Sequence, residues 1–172
     1  VEIFPPGHFY DSRVDRFICY YPLYWKKPVV KVTDKNYLKN FLIEAVQIRT
    51  ANTDRPVGFF LSGGLDSSLV VSIAKKHCHM VGPIKTFSIG HPDSPDLKAA
   101  RVVAQYLNTD HHEIIFDFEK GLELIEEVVK SIESYDTTTI RASTPMWILS
   151  KWISENTDCR VLLSGEGSDE LL

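Results

Sequence analysis

A doubly wound α/β fold, with a parallel sheet and helices on both faces, is predicted by three features of the sequence. Short continuous apolar runs such as VGFFL (57–61) read as strands buried on both faces, the pattern of a parallel sheet. These runs alternate with stretches of helical periodicity, and that rhythm argues for βαβ crossovers. Glycine-rich loops directly follow two of the runs, at the carboxyl ends of strands, where doubly wound sheets gather their ligands.

From the N-terminus, the first thirty residues are aromatic and β-branched, broken by Pro5-Pro6-Gly7 and Asp11-Ser12, and read as one or two strands with a turn. Thr33 or Asp34 caps a helix whose apolar positions Leu38, Phe41, Leu42, Ala45 and Val46 have helical spacing as far as Thr50. The strand at 57–61 is closed by Ser62-Gly63-Gly64, and a helix runs on from Asp66 to His77. Next come a strand at 84–90, a helix from Ser94-Pro95 to Leu107, a strand at 111–117, and a helix through Leu122, Ile125, Val128, Val129 and Ile132. A further helix is expected from Ser143 or Thr144 to Glu155, with Pro145 in its first turn, where proline costs nothing. The strand CRVLLSG (159–165) ends the series.

Composition narrows the function. The 172 residues are 44% hydrophobic and 24% charged with net charge −4, ordinary for a soluble globular protein and unlike a basic nucleic-acid binder. Cys19, Cys78 and Cys159 are odd in number and widely spaced, which argues against a disulfide framework and for a reducing compartment. No apolar run approaches the roughly 18 residues of a membrane span and no signal-peptide pattern opens the chain, so a cytoplasmic protein is expected.

Two loops carry chemistry. In SGGLDSS (62–68) the glycines allow a tight turn and close approach of an anion, while free amides and the helix dipole favour phosphate. The hydroxyls of Ser62, Ser67 and Ser68 add donors. Asp66 beside an anion requires a cation between them, and Mg²⁺ held by carboxylates and substrate phosphates supplies one. The lysine of a Walker-type loop is absent. The second loop, Ser164-Gly165-Glu166-Gly167-Ser168-Asp169-Glu170, repeats the mixture, and Asp66 and Asp169 would share the metal if the sheet brings the loops together. Taken singly, each loop also reads as a plain turn with a capped helix start. His77-Cys78-His79 reads as a helix end and not a metal site, because alternate residues there diverge. His111-His112 reads as structural, and Trp147, Ile148 and Trp152 as a packing face.

The ordered segments FSIG (87–90), SPDLKAAR (94–101), SYDTTTIRASTPM (134–146) and SGEGSDEL (164–171), together with SGGLDSS, resemble the asparagine synthetase family. SGGLDSS by itself is similar to the pyrophosphate loop of the wider ATP pyrophosphatase superfamily, whose synthetase domains have an adenine nucleotide alpha hydrolase-like fold. The resemblance covers residues 30 to 172, while FPPGHFY and YYPLYW are similar to the tail of a glutaminase domain and its linker. It implies residues 1–32 as that tail and linker, and 33–172 as a truncated N-terminal part of the synthetase domain.

The resemblance implies an adenylating ligase. ATP and aspartate give β-aspartyl-AMP and pyrophosphate, and ammonia derived from glutamine then forms asparagine. Ser62, Gly63, Gly64, Leu65, Asp66, Ser67 and Ser68 would hold pyrophosphate, with Asp66 and Asp169 on Mg²⁺. Phe60, Leu61, Ile89, Gly90, Ser164 and Gly165 would line the AMP site, Phe60 standing where relatives usually carry an aliphatic residue. Glu166 would be the base, Arg141 would steady the acyl-transfer transition state, and Thr138 and Thr139 would lie on the substrate side. A glutaminase domain is the implied partner, and a homodimer is left open for the full-length form. Two rivals stay open: a β-lactam synthetase-like ligase of the same fold, and a nucleotide-binding module without turnover.

Overall fold

Residues 3–22 and 34–168 are described by a computed structural model, and they form two separate sheets. The chain divides into two units, Val1–Asn36 and Tyr37–Leu172. In the first, β1 (His8–Asp11) and β2 (Arg16–Cys19) pair as an antiparallel hairpin in the register His8 to Cys19. Asp11 turns the chain by accepting the Val14 amide at 3.2 Å and gripping the Arg13 guanidinium at 2.7 Å. Phe17 meets Phe4 and Tyr10 edge to face at 5.0 and 5.5 Å, so the aromatic content serves cross-strand packing. The expected linker, residues 23–33, lies outside the described residues, as does Thr33.

The second unit holds β3 (Val57–Phe60), β4 (Lys85–Gly90), β5 (Asp110–Ile115) and β6 (Val161–Leu163). All pair in parallel in the order β5-β4-β3-β6. The helices are α1 (Lys35–Ala51), α2 (Leu65–His77), α3 (Pro95–Leu107), α4 (Phe118–Glu123), α5 (Ile125–Ile132) and α6 (Thr137–Asn156). Alternation along β3 explains its unbroken apolar run. Phe59 joins Val46 of α1, Val71 and Ala74 of α2 and Ala100 and Ala104 of α3 in one core, while Phe60 faces a second core of Phe87, Leu149 and Ile153 under α6. Gly58 also faces α6, and a Cβ there would stand 2.6 Å from Phe87 Cε2, so the strand runs beneath that ring only as glycine.

The order of strands fixes where a ligand belongs. The chain moves outward from β3 through β4 to β5, then returns to place β6 on the other side of β3. The crevice between β3 and β6 is the topological switch point, where open α/β sheets bind ligands. Both glycine-rich loops leave from its carboxyl edge. No helix among the described residues is long and apolar enough to cross a membrane.

Three expectations need correction. The helix predicted to open at residue 143 or 144 begins at Thr137, so Pro145 lies in its interior. Asp136 decides this, accepting the Thr139 amide at 2.7 Å and its hydroxyl at 2.8 Å, a stronger start signal than Pro145. The single helix through 122–132 is two, α4 and α5, divided at Leu124. Trp147 does not share the face of Trp152. Five residues is about 140° around a helix, so Trp152 packs 5.6 Å from His112 while Trp147 carries the Lys151 ammonium at 4.8 Å. Strand ends also differ: β5 begins at Asp110 and stops at Ile115, and β6 contracts to three residues.

His111 is structural, as expected. Its Nδ1 lies 2.9 Å from Thr86 Oγ1, its Nε2 lies 3.3 Å from Ser88 Oγ, and its side chain is only 9% exposed. Burial pushes its pKa below the ordinary 6.5, outweighing the pull of Glu113, which Arg101 already occupies through two bonds of 2.8 and 2.6 Å. The neutral ring is therefore preferred in the folded state. Its contribution is complete above the unfolded value and is lost as pH falls through the lower folded value. Urea unfolding should accordingly show stability dropping as pH is lowered from about 7 past about 6, and His111→Gln should flatten that part of the profile. The carboxylates Glu113, Asp136 and Asp158, held below their usual range, lose their contributions at more acidic pH.

Candidate nucleotide site

The two glycine-rich loops touch through their backbones. Gly165 lies so close to the start of α2 that a Cβ on it would stand 2.7 Å from both the Asp66 carbonyl carbon and the Ser67 nitrogen. The first loop is fixed from its other side by Gly63. Its φ is +82°, and a Cβ there would come 2.4 Å from the Ala100 nitrogen on α3. Each glycine replaces a side chain with a backbone contact, and together they bring β3, α2, α3 and β6 to one edge.

Hydroxyls set the shape of the first loop. Ser67, 8% exposed, accepts the Ser62 amide at 3.2 Å and shares a hydrogen bond of 2.9 Å with the Ser62 hydroxyl. Ser62 Oγ in turn accepts the Gly64 amide at 3.3 Å, while the Ser68 hydroxyl donates to the Gly64 carbonyl at 2.6 Å. The loop then opens α2 without a side-chain cap. Asp34, Ser94, Asp117 and Asp136 each accept an amide from the first turn of α1, α3, α4 and α6. The residue capping α2 is Gly64, with no side chain to offer. The first amide of α2 to find a helical carbonyl is that of Ser68, on Gly64 at 3.2 Å, so the amides of Leu65, Asp66 and Ser67 precede the helical ladder. Uncapped amides at the positive end of a helix dipole bind anions.

In the second loop Ser164 Oγ accepts the Glu166 amide at 3.0 Å and the Ser168 hydroxyl donates to the Gly165 carbonyl at 2.8 Å. The loops enclose a cleft of about 260 Å³. Of the residues expected in the site, Phe60, Ser62, Gly64, Asp66, Ser67, Ser164, Gly165 and Glu166 line it. Leu61 is buried in the core, Leu65 is 80% exposed at the loop tip, and Gly63 and Ser68 support the loop from behind. Ile89 packs into the second core, and the Gly90 carbonyl accepts the Phe116 amide at 2.8 Å. Thr138, Thr139 and Arg141 occupy the first turns of α6, with Arg141 on a neighbouring cavity. Asp169 lies outside the described residues.

Met146, Gly167 and Ser168 also line the cleft. Met146 reaches it from α6, giving with Phe60 an apolar wall opposite the polar loops. Met146 falls inside the helix expected from the sequence, but its place beside the loops is a tertiary contact that helical spacing alone does not encode. The donor set also fits a metal carried in by a ligand. Among the described residues no group of three His, Cys, Asp or Glu is placed to hold an ion by itself. Mg²⁺ on a triphosphate needs only one or two protein carboxylates, and Asp66 and Glu166 are both in the cleft wall.

Comparison with known proteins bears directly on this site. Residues 37–172, from α1 through both loops, match the asparagine synthase family. The chain belongs to that family. It is 46% identical over 177 aligned positions to the glutamine-hydrolysing asparagine synthetase 3 of Arabidopsis thaliana, covering 98% of this chain and 30% of the relative. It is 51% identical over 142 positions to the asparagine synthetase of Mus musculus, covering 81% of this chain and 25% of the relative. The chain thus spans less than a third of the length of these relatives.

Solved structures agree on the fold of this family member. An NH3-dependent NAD synthetase from Campylobacter jejuni superposes with a TM-score of 0.55 at 18% identity, covering 81% of this chain and 60% of the other. A glutamine-dependent NAD+ synthetase from Acinetobacter baumannii in complex with ADP gives 0.54 at 14%, covering 95% and 30%. The parallel sheet with helices on both faces is therefore a fold shared with these synthetases.

The glycines give a direct check on the geometry. Gly63→Ala should destabilise the protein by about 2 kcal/mol or more in urea unfolding, through the left-handed backbone and the contact with Ala100. Gly64→Ala, whose Cβ would meet only Ser62 Oγ at 3.4 Å, should cost no more than about 1 kcal/mol.

Proposed function

We propose that the protein acts in ATP-dependent asparagine synthesis, adenylating the side-chain carboxylate of aspartate and then transferring ammonia to it. The observation that carries this reading is the backbone contact of Gly165 with Asp66 and Ser67, which joins an uncapped anion-binding helix start to a second, carboxylate-bearing loop. Family membership supports the substrate class, and the names of the relatives support glutamine as the nitrogen source. On this reading residues 1–32 belong to the end of a glutaminase domain and its linker, and residues 33–172 to the first part of the synthetase domain.

On this reading each group has a task. The amides of Leu65, Asp66 and Ser67, with the Ser62 and Ser67 hydroxyls, hold the phosphates that leave as pyrophosphate. Phe60 and Met146 offer adenine an apolar wall, and Ser164 and Gly165 bring backbone groups to its edge. Asp66, together with Asp169, would hold Mg²⁺, which when bound would neutralise charge on the triphosphate. A carboxylate is a poor electrophile with no good leaving group, and adenylation supplies one. The work left to the protein is alignment and charge stabilisation. Glu166, an exposed residue of the cleft lining, takes a proton from the attacking nitrogen on this reading. Arg141, with Thr138 and Thr139, serves the acyl side from α6.

The full-length protein should release pyrophosphate from ATP only with aspartate and Mg²⁺ present. Asp66→Ala or Glu166→Ala should lower that rate by about a hundredfold or more. Equal release without aspartate would remove the substrate assignment, and no release under any condition would leave a nucleotide-binding module.

A further inference from the structure

The first glycine-rich loop rests on α3. A Cβ on Gly63 would stand 2.6 Å from the Ala99 carbonyl carbon and 2.4 Å from the Ala100 nitrogen, so the loop sits directly on the helix backbone. Any displacement of α3 is therefore passed to the loop. The residues that α3 buries are Leu97, Ala100, Ala104 and Leu107. Alanine lets the helix approach the sheet closely, but apolar contact is non-directional and a methyl group offers little depth to resist a slide along the axis.

Direction comes from the residue that follows the Gly63 contact. Arg101 donates from Nε to Glu113 Oε1 at 2.8 Å and from Nη2 to Oε2 at 2.6 Å. Among the described residues it is the one α3 side chain hydrogen-bonded to the sheet. Two parallel bonds fix the guanidinium in a plane as well as at a distance, so they define both the height and the rotation of the helix. Glu113 is a firm anchor. Its side chain is 19% exposed, it stands on β5 opposite Ser88, and its Oε1 lies 3.6 Å from Nε2 of His111, which Thr86 and Ser88 hold in turn. Arg101 lines no part of the nucleotide cleft.

We infer that Arg101 is a positioning residue for nucleotide binding: through Glu113 it sets α3 at the height at which Ala99 and Ala100 carry Gly63, and so aligns the opening amides of α2. The inference rests on the reading that the cleft binds the phosphates of ATP. The pair adds little to global stability, because Arg101 is half-exposed. Its effect lies in alignment, since donors that are slightly misplaced lose much of their hold on a ligand. A long-range field would act differently. Removing the guanidinium would weaken the binding of an anion, and removing the Glu113 carboxylate would strengthen it. Positioning gives both losses the same sign, because either one releases α3.

Calorimetric titration of the full-length protein with Mg-ATP tests this. Arg101→Met and Glu113→Met should each weaken binding by about threefold or more, and the double variant should be within about twofold of the weaker single one, as expected of groups that act through one contact. Lys85→Met is the control. It removes a cation and the ion pair with Asp158 at the amino end of β4, and should leave the affinity within about twofold. Hydrogen exchange in the ligand-free protein supplies a readout without ATP. The amides of 62–68 should exchange about threefold or more faster in Arg101→Met, while those of β3 stay as they are. Unchanged exchange in that loop, tighter Mg-ATP binding by Glu113→Met, or an equal loss in Lys85→Met would overturn the proposal. Should the unsubstituted protein not bind Mg-ATP, the nucleotide reading fails, and loop exchange still decides whether Arg101 positions the loop.

Discussion

The seat of Gly165 on the backbone at Asp66 and Ser67 is the contact on which the rest of the site depends. With any side chain at 165, a carbon would stand 2.7 Å from main-chain atoms that cannot rotate away. Either β6 or α2 would have to retreat, and the cleft between them would open. The cleft residues of both loops are positioned through this one approach. It works because strand pairing already fixes β3 beside β6, in the register Val57 to Val161, so the loops leave the sheet side by side.

The sheet defends that arrangement by burying β3 on both faces. Phe59 and Phe60 go to opposite cores, and Gly58 admits Phe87 beneath it, so β3 cannot slip by one residue without exchanging its two aromatic rings. On the α3 side Gly63 fixes the loop before the helix begins. The start of α2 is thus immobilised by neighbours and not by a side-chain cap of its own. Its amides stay free for a ligand, whereas α1, α3, α4 and α6 satisfy an opening amide internally. The serines hold the loop's shape with hydrogen bonds among themselves, which preorganises the donors before an anion arrives.

Much of this was legible in the sequence because it rests on local chemistry. A continuous apolar run, then SGG, then a helical pattern admits few readings, and both loops stand where that grammar placed them. The features that escaped it are tertiary or competitive. Pro145 reads as a first-turn proline until Asp136 is seen to bond Thr139, well upstream of the expected start, and Met146 joins the cleft through a tertiary contact that no local pattern marks. The break at Leu124 has no proline or glycine at it to mark it. The proximity of Gly165 to Asp66 joins residues about a hundred positions apart, which no spacing rule encodes.

The central claim, that backbone contact between the two loops builds the nucleotide site, is tested most directly by one affinity. Calorimetric titration of the full-length protein and its Gly165→Ala variant with Mg-ATP should show binding weakened by about tenfold or more, about 1.4 kcal/mol, in a protein that still folds cooperatively. Unchanged affinity in a folded Gly165→Ala protein would contradict the account.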